Sequence, residues 1–449
     1  MKNIATISSA LFLVSLCWPG IIRAEQVTLQ EALQAALANR PLVQAQAAER
    51  EAAAANQAAA SSRYLPRLSL NEQFYATNEP GGSLFISLNQ QRLKLSPTAD
   101  AYNEPPSRKD FETRLTLNQQ LFDTDRRFQS KRAAVLSEAA GASARQGQAV
   151  AALDVIEAYL DVQQGDANVK RAATALHEAE EVLSVTRQRT EAGTGLKAET
   201  LRAQTRVHDA QLGLLTAQHA QQLARHRLAF SMGRAEGEVD IDTPLKLAAL
   251  PEPAGNNQLQ RGDLQALRLQ SREANLATRQ ARATFLPKAD LQASYILHDE
   301  TTPFGSDADA WSVMAGLRWE FFDGFERNHR QASATARHKA ATARTEEQVR
   351  QAQLALITAR LKAEQAQLAV IMATSAHQAA EEARQVMLDR YQAGLASLTD
   401  LLAVQAELEH ARHARIAAET GQIKARAMTH FQQGTLLEAL SLSEEEAPR

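Results

Sequence analysis

The sequence predicts a mostly α-helical chain with a small β part, folded as two tandem structural repeats. Three observations carry that expectation. The second half restates the first about 200 residues on. Leu65-Pro66 returns as Leu286-Pro287, Leu121-Phe122-Asp123 as Phe321-Phe322-Asp323, Ala192-Gly193 as Ala393-Gly394, and Gly233 as Gly434. No proline falls between Pro106 and Pro244, or between Pro303 and Pro448. Proline inside a helix removes a hydrogen bond and clashes with the preceding turn, so these spans permit very long helices. Finally, four short segments alternate apolar and polar residues with the period of a strand.

The chain begins with the pattern of an export signal. Lys2 supplies a positive start, the stretch from Ile7 to Trp18 is apolar, and Ala24 is a small residue before Glu25. Residues 1–24 are expected to be removed. Cys17 is the single cysteine; it either leaves with the signal or is lipidated, and in both cases no disulfide forms within one chain. The first repeat then covers residues 25–232, a segment richer in Pro, Gly and Asp covers 233–257, the second repeat covers 258–434, and 435–449 form a tail.

Each repeat reads helix, strand, loop, strand, long helix, tight turn, shorter helix. The expected spans are 27–64, 67–75, 111–121, 126–190 and 198–231, then 258–285, 288–297, 311–321, 327–391 and 398–433. Asn39 and Pro41 interrupt the first helix, because proline suits a first helical turn. The long spans are built from Ala, Gln, Glu, Arg and Leu, all good helix formers. Leu354, Ile357, Leu361, Leu368 and Ile371 recur at three- and four-residue steps, the spacing of a narrow coiled-coil seam. At 1.5 Å per residue each long helix reaches roughly 100 Å, and the two shorter helices of a repeat, end to end, reach about the same. The 233–257 segment is expected at mid-height, where those shorter pieces meet.

The strands alternate as barrel walls do. Trp311, Val313, Ala315, Leu317, Trp319 and Phe321 share one face, opposite Ser312, Met314, Gly316, Arg318 and Glu320. Leu115, Leu117 and Leu121 oppose Arg114, Thr116, Asn118 and Gln120. Each strand approaches the roughly 9–11 residues that cross a bilayer at a tilt. One chain's strands cannot close a barrel with a usable lumen, since about eight give only a filled interior. A ring of three chains, about twelve strands in all, is the smallest that leaves a polar channel. The fold expected is therefore a transmembrane β-barrel shared by a trimer, continued by a long α-helical barrel.

A net charge of −3 offers no electrostatic case for nucleic acid. No nucleophile–base arrangement, nucleotide fingerprint or His-Glu-x-x-His pattern is present, so neither an enzyme nor a cofactor is expected. His410 and His413 lie one helical turn apart but lack an evident third metal ligand.

Arg390-Tyr391-Gln392-Ala393-Gly394, the following Ser397-Leu398-Thr399-Asp400-Leu401-Leu402, and the strand-to-helix segment from Leu115 to Asp123 resemble the TolC family of outer-membrane efflux proteins. The loop from Leu84 to Arg92 resembles members that work with proton-driven pumps. The resemblance spans nearly the whole mature chain. It implies a homotrimeric duct in outer-membrane lipid that extends into the periplasm. A periplasmic adaptor and an inner-membrane transporter, proton-driven for small toxic compounds, would be its partners. The same duct in type I polypeptide secretion is the alternative. A periplasmic coiled-coil adaptor or structural protein is the rival of another class, and it would carry one helical hairpin where this sequence carries two.

The resemblance also implies a gate at the hairpin tips. Asp400 matches an aperture acid, Glu199 a latch partner and Tyr391 a latch tyrosine. The expected arginine is replaced by Ala396, and Lys197 is the nearby candidate for its charge. As first-turn acids, Asp400 and Glu199 also suit the helix dipole. Gly193 and Gly394 are expected as left-handed C-terminal caps. With Leu196, Leu395 and Leu398 they form the expected adaptor-docking tip, though those leucines equally suit packing between helices.

Overall fold

The computed structural model describes residues 25–95, 98–253, 255 and 258–441. The export signal with Cys17, and the tail beyond Ser441, lie outside the described residues.

The chain forms two compact units, and each draws on both repeats. Of the described residues, one comprises those up to Ala35, Val155–Leu245 and Ala379–Ile416; the other comprises those of Ala36–Asp154, of Lys246–Gln378 and from Ala417 on. In chain order the elements are β1 (Glu25–Val27), α1 (Leu29–Asn39), α2 (Pro41–Ser62), β2 (Arg67–Thr77), α3 (Pro80–Asn89), α4 (Asp100–Asn103), β3 (Arg108–Phe122), α5 (Thr124–Glu191), α6 (Lys197–Ser231) and β4 (Val239–Ile241). A short 3-10 turn at Leu247–Ala249 precedes α7 (Gly262–Ala283), β5 (Lys288–Asp299), β6 (Ala308–Arg318), α8 (Glu326–Gln392), α9 (Leu398–Gln433) and α10 (Leu436–Ala439).

The second unit contains the sheet. Its order is β2-β3-β5-β6, antiparallel throughout. Each repeat supplies one hairpin, and β3–β5 pairing joins them. The register builds apolar rows across all four strands. Leu70, Leu115, Tyr295 and Trp311 line up, as do Leu68, Leu117, Ala293 and Val313. This face is exposed in the chain, with Trp311 at 75%. An apolar face of that size turned outward is the lipid-facing wall of a barrel. The opposite face carries Ser69, Thr116, Ser294 and Ser312 in one row. At the helix-side rim, Trp319 packs against Phe321 and Phe322 against Phe325, at centroid distances of 4.6 and 5.4 Å, an aromatic girdle. Among the described residues no helix is long and apolar enough to cross a membrane.

The repeated Leu-Phe-Asp and Phe-Phe-Asp segments have a common physical role. Asp123 accepts hydrogen bonds from the backbone N–H groups of Asp125 and Arg126 at 3.0 and 3.3 Å. Asp323 accepts from Arg327 N at 3.0 Å and from its guanidinium Nε at 2.7 Å. Each carboxylate thus satisfies the orphan donors where a strand becomes a long helix. Arg132 binds Glu273 at 2.5 Å and Gln280 binds Asp125 at 2.7 Å, tying α5 to α7.

In the first unit β1 pairs in parallel with β4, and the buried Tyr159 donates its hydroxyl to Thr243 O at 2.5 Å beside that ribbon. The rest of the unit is the start of α1, all of α6 and the parts of α5, α8 and α9 nearest the two hairpin turns.

Several expectations are corrected. Val27 belongs to β1 rather than to a helix, and α7 begins at Gly262, not at residue 258. Strand β6 ends at Arg318, so Trp319 and Phe321 lie beyond it; the Trp319 indole N–H donates to Phe285 O at 3.1 Å instead of extending the ladder. The first strand loop carries a ten-residue helix, α3, which its mixed composition concealed. The seam on α8 is not packed within the chain. Leu354, Ile357, Leu361, Leu368 and Ile371 are exposed, whereas Ala352, Leu356 and Ala359 are buried.

Candidate functional site: the hairpin tips

The two hairpins turn by the same device. Gly193 adopts φ +75° and Gly394 φ +76°, a left-handed conformation that a side chain would disfavour. Thr194 N donates to Arg189 O and Gly193 N to Thr190 O, at 2.9 and 3.1 Å. Leu395 N and Gly394 N repeat the pattern on Arg390 O and Tyr391 O, at 2.8 and 3.0 Å. Both are Schellman closures, which satisfy the last carbonyls of a helix.

The helices that follow start differently. Ser397 precedes α9, and its hydroxyl donates to Asp400 Oδ2 at 2.7 Å while accepting from Asp400 N at 3.2 Å; Ser397 N completes the exchange at 3.3 Å. This is a closed capping box. Its hydrogen bonds from Ser397 hold the Asp400 carboxyl below the ordinary aspartate value. Leu196 stands at the equivalent N-cap of α6 and gives no side-chain cap, so Glu199 has no hydroxyl to reciprocate. Asp400 is exposed and Glu199 half-buried.

Tyr391 organises the contact between the hairpins. It is 1% exposed and packs with Val182, Ala203, Leu398 and Leu401. The Thr186 hydroxyl donates to Val182 O at 2.7 Å. Its oxygen lies 3.2 Å from the Tyr391 hydroxyl, which therefore donates to it. Arg189 Nη1 donates to Tyr391 O at 2.5 Å, and the same guanidinium lies 4.7 Å from the Tyr391 ring centroid. The cation on Tyr391 is thus Arg189 of α5. Lys197 is exposed. Arg202 Nη1 also reaches Thr399 Oγ1 at 3.2 Å.

Leu398 is 1% exposed and belongs to this core, which corrects its expected place on a docking surface. Leu196 and Leu395 are 67% and 71% exposed and remain at the tip with their glycines.

A partly buried charge layer follows the Tyr391 cluster along the hairpins. Arg412 contacts Glu178, Glu409 and Glu381 at 3.0, 3.1 and 3.2 Å, and Arg171 holds Glu409 at 2.6 Å. The sequence marks neither arginine, since each is one charge among many on a long helix. His410 and His413 are both exposed. Among the described residues, the three-residue group with metal-ligand chemistry lies elsewhere, at Asp110, Glu112 and His298 of the sheet.

Comparison with known proteins gives a coherent result. Residues 32–234 and 256–428 match the family model for outer membrane efflux proteins. Protein CyaE of Bordetella pertussis is 27% identical over 441 residues, covering 92% of this chain and 85% of that one. Fusaric acid resistance protein FusA of Burkholderia cepacia is 26% identical over 210 residues, covering 43% and 39%. Among solved structures, the open state of the Neisseria gonorrhoeae MtrE outer membrane channel superposes with a TM-score of 0.77 at 20% identity, covering 91% of this chain and 89% of that one.

Proposed function

This chain belongs to the outer membrane efflux protein family, and on that premise we propose that it is the trimeric exit duct of a tripartite efflux system for small toxic compounds. Open sheet edges carry the reading. Among the described residues β2 and β6 each pair on one side only, beside an outward apolar face. A lipid environment leaves unpaired strand edges no water to bond, so they must pair with other copies until the ring closes. The exposed leucine and isoleucine stripe on α8 suits the same neighbour, which would cover it as a coiled-coil partner. The small-molecule cargo is supported by the name of the FusA relative, a fusaric acid resistance protein.

In this reading residues 25–232 and 258–434 each supply two strands and a hairpin, and 233–257 joins them. The Tyr391–Thr186–Arg189 clasp holds the tip closed. Asp400 and Glu199, repeated around the ring, line its mouth with negative charge and favour cations. Leu196 and Leu395, presented by the Gly193 and Gly394 turns, dock a periplasmic adaptor, which couples the duct to a proton-driven inner-membrane transporter.

Mild crosslinking in cells tests the assembly. The expected product is a heat-modifiable outer-membrane trimer that carries an adaptor and a proton-driven pump, and whose deletion sensitises cells to small toxic compounds. Recovery of an ATP-driven exporter with loss of a secreted polypeptide would assign the duct to protein secretion. A monomer free in the periplasm would refute the duct.

A further inference from the structure

The loop between β2 and β3 folds back over the sheet. Helix α3 starts at Pro80, whose ring suits the first turn, and buries Ser83, Ile86 and Ser87. The following Gln90 is 4% exposed. Its Nε2 donates to Lys109 O at 2.7 Å and to Asp110 Oδ1 at 3.0 Å. Asp110 Oδ2 in turn lies 2.7 Å from His298 Nδ1, and both side chains are buried.

The register fixes which face α3 covers. Asp110 and Glu112 share their side of β3 with Arg114 and Thr116, and His298 pairs opposite Glu112 and Ala308. That is the polar side, away from Leu115, Tyr295 and Trp311, hence the lumen side of a barrel wall. It is also the end of the sheet remote from the long helices, since β2 ends and β3 begins here, whereas α5 starts at the other end of β3. A second tie crosses to the β5–β6 connection. Gln91 turns the chain at φ +56°, and Arg92 then grips Glu300 and Asp307 at 2.5 Å each.

We propose that α3 is a lid folded into the extracellular mouth of the duct, pinned by Gln90 on the buried Asp110–His298 pair and clamped by Arg92 on Glu300 and Asp307. The inference rests on the ring of chains proposed above, in which each copy brings one lid. The two ties differ in kind. The Gln90 tie is dry and positions the helix against the wall. The Arg92 clamp is solvated, and exposed ion pairs are weak, so it is the tie that yields when cargo leaves.

Labelling from outside intact cells reads the lid without passing the periplasmic tip. Asn118 is exposed on the lumen face below the lid, and Leu117 is its neighbour on the lipid face. Asn118→Cys is reacted with a bulky membrane-impermeant maleimide, and with a small one as a control. The bulky reagent is expected to label slowly with the native loop and severalfold faster with Arg92→Glu or Gln90→Ala. Adding Glu300→Arg and Asp307→Arg to Arg92→Glu should slow it again, a rescue that mere misfolding would not give. Equal bulky-reagent rates with and without Arg92→Glu and Gln90→Ala, while the small reagent enters, would overturn the lid and leave the duct standing. Shielding of Asn118→Cys from the small reagent in every variant, with Leu117→Cys labelled, would overturn the lumen assignment and the lid with it.

Discussion

Removing the Arg189 side chain should open the periplasmic tip. The guanidinium makes two contacts across the hairpins, a charged hydrogen bond to Tyr391 O at 2.5 Å and a stacking contact at 4.7 Å from the ring centroid. A hydrogen bond from a charged donor contributes about 1.5–3 kcal/mol, and a cation–π contact at an exposed site about 0.5–1 kcal/mol. Arg189 is only half-buried, which places the sum at the low end, about 2 kcal/mol. At 1.4 kcal/mol per decade, Arg189→Ala then shifts the closed–open balance roughly 30-fold toward open. Tyr391→Phe keeps both Arg189 contacts and loses one neutral hydrogen bond to Thr186, whose hydroxyl stays satisfied by Val182 O. Its shift is about 1 kcal/mol, roughly fivefold. Single-channel recording of purified trimers in planar bilayers measures both through the fraction of time spent in the conducting state. The ordering Arg189→Ala above Tyr391→Phe above wild type is the expected result. An Arg189→Ala trimer with wild-type open occupancy and unchanged heat stability would refute the latch.

Three further outcomes follow from the same geometry. Asp400→Asn should lower cation selectivity and block by multivalent cations in the same recordings. Because Ser397 holds the Asp400 carboxyl below its ordinary value, the charged capping box is fully formed above the ordinary aspartate range and is lost only as pH falls through the lowered value; wild-type selectivity should therefore persist down to about pH 4. Arg412→Met removes the cation shared by Glu178, Glu409 and Glu381 while Arg171 still holds Glu409; with these groups only partly buried, it should cost about 1–2 kcal/mol in denaturant unfolding. Gly394→Ala should cost about 1 kcal/mol, the left-handed penalty alone, because a Cβ there meets open space; Gly434→Ala should cost clearly more, because its Cβ would lie 2.5 Å from Arg261 N, and urea melts of the two variants compare them directly.

Most of the fold was determined by the sequence alone. Long proline-free spans allow few structures besides long helices, and period-two alternation in four matched segments assigns both the strands and the face that meets lipid. The repeat placed the turning glycines, and all four, Gly193, Gly233, Gly394 and Gly434, carry positive φ. Local chemistry is enough for such features, because helix caps and strand alternation depend on neighbours within a few residues. What tertiary structure decided depends on residues brought together from afar. Val27 became a strand only by pairing with Ile241, a partner that three residues cannot announce. Leu398 became core because Tyr391 and Val182 close around it, and Leu395 stayed outside although the two read alike in sequence. Arg189 is one of many helical arginines until the hairpin packing sets it on Tyr391. Gln90, Asp110 and His298 come from a loop and two strands of different repeats, and only the folding of α3 onto the polar face joins them. Periodicity states which side of an element is apolar. Which polar groups meet across that side is settled by packing, because a buried donor must find its acceptor wherever the chain has placed one.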